Sequence, residues 1–450
     1  MKVSKIKSNF IFEDVRFNAS YFLNEDALNS MKLETNKEKC VALDKVANAW
    51  NPPIFKRQFC ERTNKSIPYC QSSDVANQLE GSDVYIYKEQ ALKVNSVVKE
   101  NQILVTGFGT IGNTRLVNKL SAGISYANNV CRIETNGKLP FGYVYAFLTS
   151  KYGRSQLNKN ASGSVVRYIE APGIKKTLIP VLSEEKQQKI HQLIIEASEL
   201  RVEANRLLNE AVCFFDFLKT DYVPGKAINK NVSIKKLNNS KKRFDANYNI
   251  ISSEVDRVID NQRKDLISIV ELSENIFIGP RTKRNYVKNG VPFLSTSEMQ
   301  KLNPTKTEKS INHKVANDFV VKEGWLLTTR SGTLGDTIYT LPCLNDYAVS
   351  EDAIRIVLKK DALLSNKYLF AFLKSNLGKS SLLSGSYGSV ILHLNEEYIG
   401  DIKVPILEQN EIQRIEEKID IYVQNINNAI LKENKAIALI EKEIDLWQVS

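Results

Sequence analysis

VVKENQILVTGFGTIGNT, residues 97–114, is written a second time in this chain as VVKEGWLLTTRSGTLGDT, residues 320–337. The repetition extends in both directions. RFNASY (16–21) returns as RFDANY (243–248), and IPYCQSSD (67–74) as VPFLSTSE (291–298). VCRIE (130–134) returns as AIRIV (353–357), YVYAFLTS (143–150) as YLFAFLKS (368–375), and SGSVV (162–166) as YGSVI (387–391). Finally IPVLSEEKQQKI (179–190) returns as VPILEQNEIQRI (404–415). The offset stays between 223 and 227 throughout. A near-constant offset over this length means one structural unit used twice. The segments Phe22 to Ser66 and Ile250 to Gly290 hardly match, so the copies share a framework and differ elsewhere.

The repeat also tests a motif. Gly107, Gly109 and Gly112 spell G-x-G-x-x-G, the spacing of a dinucleotide-binding loop. The twin starts with Arg330 and keeps only G-T-[IL]-G, and NTRLV continues as strand. A pyrophosphate site needs both the glycines and a helix N-terminus. The stretch reads instead as a tight strand-to-strand turn, with the first glycine present by chance. Around it, Asn101–Val117 reads as two short strands and Cys131–Glu134 as another. Phe141–Gly153 reads as a helix stopping near its glycine, followed by a loop at Ser162–Ser164 and a short strand into Pro180.

Then the period changes. Glu184 to Leu218 contains no Gly or Pro, and apolar residues fall at Ile190, Leu193, Ala197, Leu200, Ala204, Leu207, Ala211, Phe214 and Leu218. That is an a/d heptad pattern. The second copy gives Ile412, Ile415, Ile419, Tyr422, Ile426 and Ala429, then drifts to Ile430, Ile437, Ile440, Ile444 and Trp447, with Glu433 on an a position. Each helix would run for about 50 Å at 1.5 Å per residue. A stripe of that length needs a partner. The simplest one is the other copy's helix, in an antiparallel coiled coil if the copies are related by a pseudo-twofold.

Of 450 residues, 42% are apolar and 25% charged, as in an average soluble protein, so each half can bury its own core. No apolar run reaches the ~18–20 residues of a membrane span. MKVSKIKSNF lacks a secretory signal, so a cytoplasmic protein is expected. The net charge of +11 favours a polyanionic partner, of which nucleic acid is the commonest. The six cysteines (Cys40, Cys60, Cys70, Cys131, Cys213, Cys343) and three histidines (His191, His313, His393) form no metal-ligand cluster and share no position between copies. They read as buried free thiols, with no metal and no catalytic residue repeated in each unit. NPPIF (51–55) resembles the N-P-P-aromatic motif of adenine methyltransferases, but its fourth residue is Ile54 and the second copy lacks it, so it reads as a loop.

What remains is basic and polar decoration. FKRQFCERTNK (55–65) and GPRTKRNYVKNG (279–290) each precede the shared [IV]-P-[YF] strand. Arg and Lys suit phosphates and guanine edges, and Asn and Gln suit adenine. The candidate DNA contacts are Lys56, Arg57, Arg62 and Lys65 in the first copy, and Arg281, Lys283, Arg284, Asn285 and Tyr286 in the second. Arg115 and Arg330 beside the glycine turns, with Ser164, Arg167 and Ser389 at the G-S-V loops, complete the set. The same residues also suit ordinary solvated loops. A single-chain DNA modification enzyme and a coiled-coil scaffold that binds no DNA remain alternatives.

The paired VVKE-x-x-x-L-x-T-x-x-G-T-[IL]-G segments, the AFL-[KT]-S helices, the G-S-V loops and [IV]-P-[VI]-L running into each long helix occur in one order, twice. With them the chain resembles the specificity (S) subunits of type I restriction-modification systems over nearly its whole length. PVLSEEKQQKI departs from the commoner P-x-x-E-Q form at Ser183-Glu184, whereas PILEQNEIQRI keeps Glu408-Gln409. The resemblance implies an α+β protein of two similar α/β target recognition domains in tandem, in pseudo-twofold arrangement, separated by two long α-helices in an antiparallel coiled coil. The expected limits are residues 1–183 and 223–407, the latter with its linker, for the domains, and 184–222 and 408–450 for the helices. The seam would be Ile190, Leu193, Leu200, Leu207 and Phe214 against Ile412, Ile415, Ile419 and Ile426. Each domain would read one half of a bipartite, asymmetric, gapped site in double-stranded DNA, chiefly through Phe22–Ser66 and Ile250–Gly290. Two methyltransferase (M) subunits would bind the helices and carry the S-adenosylmethionine, restriction (R) subunits would complete a nuclease, and this chain would bind no cofactor and do no chemistry itself.

Overall fold

A computed structural model describes residues 24–447 apart from 79–81, 163–166, 219–251, 253–254, 260–264, 282–283, 332–333 and 389–391. The RFNASY and RFDANY repeats and the basic stretch 223–243 lie outside the described residues. The chain divides into two compact units: Met1–Val202 with Asn428–Ser450, and Glu203–Asn427.

In unit 1 the strands are β1 (Cys40–Ala42), β2 (Ala47–Trp50), β3 (Phe59–Cys60), β4 (Ser66–Cys70), β5 (Tyr85–Tyr87), β6 (Ile103–Thr106), β7 (Thr114–Leu116), β8 (Ser125–Tyr126), β9 (Val130–Thr135) and β10 (Leu178–Pro180). An antiparallel sheet has the order β2-β9-β6-β7, and a second has β3-β5-β4-β8. In the second sheet β4 pairs in parallel with β8. The central strand β6 is buried along its whole length, which explains why it shows no polar alternation. Ile103 and Val105 enter a core with Ile133 and Tyr143, while Leu104 faces a separate cluster with Val98, Val117 and Tyr126.

Unit 2 repeats this frame with β11 (Leu266–Ser268), β12 (Ser273–Ile278), β13 (Tyr286–Leu294), β14 (Ser310–Ile311), β15 (Leu326–Thr329), β16 (Thr337–Tyr339), β17 (Ala348–Val349), β18 (Ala353–Leu358) and β19 (Lys403–Pro405). Its main sheet has the order β12-β18-β15-β16, and β13 pairs in parallel with β17. The two poorly matching segments therefore carry framework as well as variation. Each supplies an edge strand, β2 or β12, and a short strand, β1 or β11, paired to the one preceding the long helix.

The longer helices are α1 (Glu25–Thr35), α2 (Phe141–Thr149), α3 (Lys151–Lys159), α4 (Glu184–Cys213), α5 (Asn366–Lys374), α6 (Asn376–Ser384) and α7 (Gln409–Asp445). The expected single helix at Phe141–Gly153 is two helices. Ser150 breaks it with extended backbone, and its Oγ accepts from the Gly153 N–H at 3.2 Å. Gly153 is thus an N-terminal residue of α3, not a stop. A Cβ there would overlap the Phe147 carbonyl, and Gly378 stands the same way over Phe372 beside Ser375. The tyrosine opening each α2-type helix is also shared: Tyr143 donates to the Pro180 carbonyl at 2.8 Å and Tyr368 to that of Pro405 at 2.6 Å.

The two long helices run antiparallel within each unit. In unit 1 Lys186 pairs with Glu443 at 2.8 Å and Glu196 with Lys432 at 2.6 Å. In unit 2 Glu210 pairs with Lys418 at 2.5 Å. The seam of α7 follows the expected residues: Ile412, Ile415, Ile419, Tyr422 and Ile426 are buried. The seam of α4 is turned by one residue from the expected phase. Ile190, Ile194, Ala197, Arg201, Ala204, Leu208 and Ala211 are buried, as is Phe215 just beyond the helix. Leu193, Leu200 and Phe214 are only partly buried, while Leu207 sits inside. Arg201 therefore holds a core position, and its guanidinium meets Glu433 at 2.5 Å with both side chains out of solvent. The charge that looked like a flaw in the second helix is one half of a buried ion pair.

His191 on α4 makes a second special contact. Its Nδ1 accepts from the Gly142 N–H at 3.2 Å, and Phe141 lies edge-on to the ring at 4.8 Å. An accepting Nδ1 requires neutral imidazole, and burial lowers the group's pKa below the usual value of 6.5. The unfolded chain then binds the proton more tightly, so this contact's stabilisation is full above about pH 6.5 and is lost as pH falls through the folded value. We expect the melting temperature of the wild-type protein to drop more between pH 7 and pH 5 than that of His191→Gln; parallel curves would remove His191 from the pH response.

Candidate nucleic-acid interface

The glycine turn is a hairpin. Gly112 and Gly335 occupy the same place in the two units with φ of +82° and +77°, a region that β-carbon-bearing residues avoid. Neither turn opens a helix; β6–β7 and β15–β16 are antiparallel pairs. Gly107, expected to be incidental, has a role: a Cβ there would overlap the Ile169 carbonyl. In unit 2 the corresponding Arg330 is half-buried, and its Nε donates to the Leu394 carbonyl at 3.2 Å.

Beside this turn, one arginine per unit organises a platform. Arg132 and Arg355 are each about 1% exposed. Arg132 donates to the carbonyls of Ala127 (3.0 Å), Ser96 (2.9 Å), Tyr126 (2.6 Å) and Val130. Arg355 donates to those of Ser350 (2.9 Å), Ala353 (2.6 Å) and Val349 (2.5 Å). Burial lowers both guanidinium pKa values to about 10, which leaves them charged at neutral pH. The clamp fixes the short loop between β8 and β9, or β17 and β18, and so sets the side chains at 127–129 and 350–352.

In unit 1 those side chains line an open cleft of about 270 Å³ with Arg57, Gln71, Ser72, Phe108, Asn128 and Asn129 on its walls. Arg57 is exposed and lies over the Tyr69 ring at 5.7 Å. Phe108, from the glycine turn, stacks on Tyr168 from the G-S-V loop at 5.4 Å and 13°, and both rings are half-exposed. Asn129 donates to Ser72 Oγ at 3.2 Å, while its buried Oδ1 finds no partner among the described residues. Asn51 of NPPIF commits its carboxamide to the backbone, donating to the Asn128 carbonyl and accepting from the Ala171 N–H, so it has no free edge to grip a base.

Unit 2 builds the same corner from different side chains. Arg284 lies over Phe293, the counterpart of Tyr69, at 5.3 Å. It also pairs with Glu351 at 2.6 Å and reaches Ser350 Oγ at 3.2 Å. Burial is the largest single effect and works against both charges, but the Arg284–Glu351 hydrogen bond, their mutual attraction and neighbouring hydrogen bonds together outweigh it, holding the carboxyl below the usual range and the guanidinium above. Where unit 1 has Ala127-Asn128-Asn129, unit 2 has Ser350-Glu351-Asp352.

The model of the type I restriction modification DNA specificity domain matches this chain twice, over residues 36–210 and 259–436. The chain belongs to that family. Its two specificity domains are the two framework copies, and sequence-specific DNA recognition is their role. No curated protein matches the chain significantly. Among solved structures, the S subunit of a type I restriction-modification system from M. genitalium is 12% identical over 90% of this chain and 94% of its own, with a TM-score of 0.35. The HsdS subunit from Thermoanaerobacter tengcongensis is 14% identical over 91% and 97%, with a TM-score of 0.28. A chain from a structure on complex assembly and conformational transition of the type I R-M system is 15% identical over 90% and 95%, at 0.29.

The specificity domains place the expected contacts unevenly. Lys56, Arg57, Arg62 and Lys65 are exposed on the segments either side of β3; Gln90 anchors the first, its carboxamide bonding the Lys56 carbonyl and the Gln58 N–H. Arg281, Asn285 and Tyr286 are exposed beside Arg284. Arg167 is exposed, with its guanidinium on the Asn158 carbonyl. Ser164, Lys283 and Ser389 lie outside the described residues. Arg115 is a correction. It is 2% exposed and bonds the carbonyls of Val75 and Asn77, so it braces the fold and offers nothing to DNA. Cys213 is likewise exposed rather than buried, whereas burial raises the thiol pKa of Cys70 to about 11 and of Cys131 to about 12. Sequence reasoning missed Gln71, Phe108, Asn128, Asn129 and Tyr168. A signal existed: inside otherwise matching framework, Asn128-Asn129 faces Glu351-Asp352 and Phe108 faces Ser331.

Among the described residues no group of three His, Cys, Asp or Glu side chains could hold a metal ion. No helix among them is long and apolar enough to cross a membrane.

Proposed function

We propose that this chain is the DNA-reading subunit of a type I restriction-modification complex. One specificity domain reads each half of a bipartite, gapped site, and the site is asymmetric because the domains present different side chains from one frame. The observation that carries this reading is the matched corner: Arg57 on Tyr69 with carboxamides beneath, against Arg284 on Phe293 with carboxylates beneath. The antiparallel helices set the gap and dock two methyltransferase subunits, which carry S-adenosylmethionine and transfer its methyl group to adenine. Restriction subunits join the same assembly, and the protein works in the cytoplasm. Affinity comes chiefly from Lys and Arg on phosphates and falls steeply with salt, as expected for a chain of net charge +11.

Footprinting with the methyltransferase subunits present tests the reading. A discrete gapped site is expected, and exchanging residues 1–183 for those of a relative should change one half-site only. Protection without sequence preference, or change in both halves, overturns it. Calorimetric binding of S-adenosylmethionine to this chain alone would favour a self-contained modification enzyme instead.

A further inference from the structure

We infer that the unit 1 cleft is a base-reading subsite that selects adenine, with Asn128 and Gln71 as its specificity-determining residues; this rests on the DNA-reading function proposed above. The cleft joins parts distant in sequence: Gln71 follows β4, Asn128 follows β8, and the parallel pairing of those strands sets them side by side. The Arg132 clamp holds the Tyr126 and Ala127 carbonyls, and Asn51 holds that of Asn128, so the loop carrying the reader is fixed before DNA arrives. A pre-set donor and acceptor lose little on binding.

The chemistry of the lining chooses the base. A carboxamide pairs its oxygen with the N6 amino group of adenine and its nitrogen with N7, whereas a carboxylate accepts from the N4 amino group of cytosine. The unit 1 walls offer carboxamides at Gln71, Asn128 and Asn129, and the buried Asn129 Oδ1 finds no donor among the described residues. Among the described residues no carboxylate forms an ion pair with Arg57, so the guanidinium at the mouth is available to a phosphate or a guanine edge. The exposed faces of Phe108 and Ile54 are apolar surfaces of the kind that meet a thymine methyl. Unit 2 replaces Gln71, Asn128 and Asn129 with Ser295, Glu351 and Asp352, and Glu351 is already engaged by Arg284. The adenine preference therefore belongs to one half-site.

The test uses the complete modification complex, with the methylation motif read by sequencing genomic DNA from cells expressing it. Asn128→Asp should weaken discrimination for adenine at one position of one half-site by about tenfold or more, leaving the other half-site unchanged. Gln71→Ala, at an exposed residue, should relax the same half-site and decides the question should Asn128→Asp lower the melting temperature. An unchanged motif at undiminished rate in Gln71→Ala and in a folded Asn128→Asp overturns the subsite while leaving DNA reading by the domain intact. Uniform weakening at every sequence also overturns it, since that marks phosphate contact. Failure of the wild-type complex to protect any discrete site would instead overturn the function on which the subsite rests.

Discussion

Replacing Glu433 with leucine should cost unit 1 about 3–5 kcal/mol, measured by denaturant unfolding. The replacement strands the Arg201 guanidinium at a seam position where its side chain is 8% exposed. Taking a charge out of water is expensive, and the partner's attraction offsets it only while the partner is there. The double replacement, Glu433→Leu with Arg201→Leu, should then recover most of the loss or exceed the wild type. Additive losses would show that the two side chains act independently. A buried polar pair can also fix register. The double variant should therefore be stable yet tolerate shifts of α4 against α7, visible as altered half-site spacing in the methylation motif.

Arg132→Met should be comparably damaging, lowering stability by about 2–6 kcal/mol. Four carbonyls lose a donor; those of Ala127 and Ser96 keep the Val130 and Tyr126 N–H groups, whereas each of the other two left unsatisfied costs about 1–3 kcal/mol. Arg132→Lys should rescue little, because one ammonium on a flexible stem cannot replace a planar fork. Arg355→Met should do the same to unit 2. Hydrogen exchange separates the effects: loss of protection should stay within the unit that carries the change. Spread of either loss over both units, or stability within 1 kcal/mol of wild type, would show that the clamp is dispensable.

Much of the frame was legible because two copies of one fold must satisfy the same packing, and matching residues at one offset expose it. The hairpin was readable from G-T-[IL]-G because its last glycine holds a positive φ. The seam phase was not. Leu200 is the natural apolar choice, and only an acidic partner on the other helix makes Arg201 acceptable inside. Arg132 and Arg355 were hidden by the same habit, since an arginine in a strand reads as surface. Arg115 was misread for that reason and sent to the DNA. Edge strands β2 and β12 escaped notice because a short strand needs only one apolar face, which dissimilar sequences can supply. The cleft was out of reach, since it exists only where β4 and β8 come together.

The units differ in how they become complete. Residues 203–427 form an unbroken stretch, but unit 1 draws Ala436, Ile437, Ile440 and Ile444 into its core from the far side of it. On a ribosome adding about 5–20 residues per second, those side chains arrive roughly 12–48 s after residue 202. In that interval Ile190, Ile194 and Ala197 have been made and lack part of their packing surface. The usual order of synthesis, in which the leading domain folds first, is reversed: unit 2 can close while unit 1 waits. The interval before residues 428–447 emerge is therefore when this protein is most open to chaperones, to proteases and to mispairing with another chain's helix.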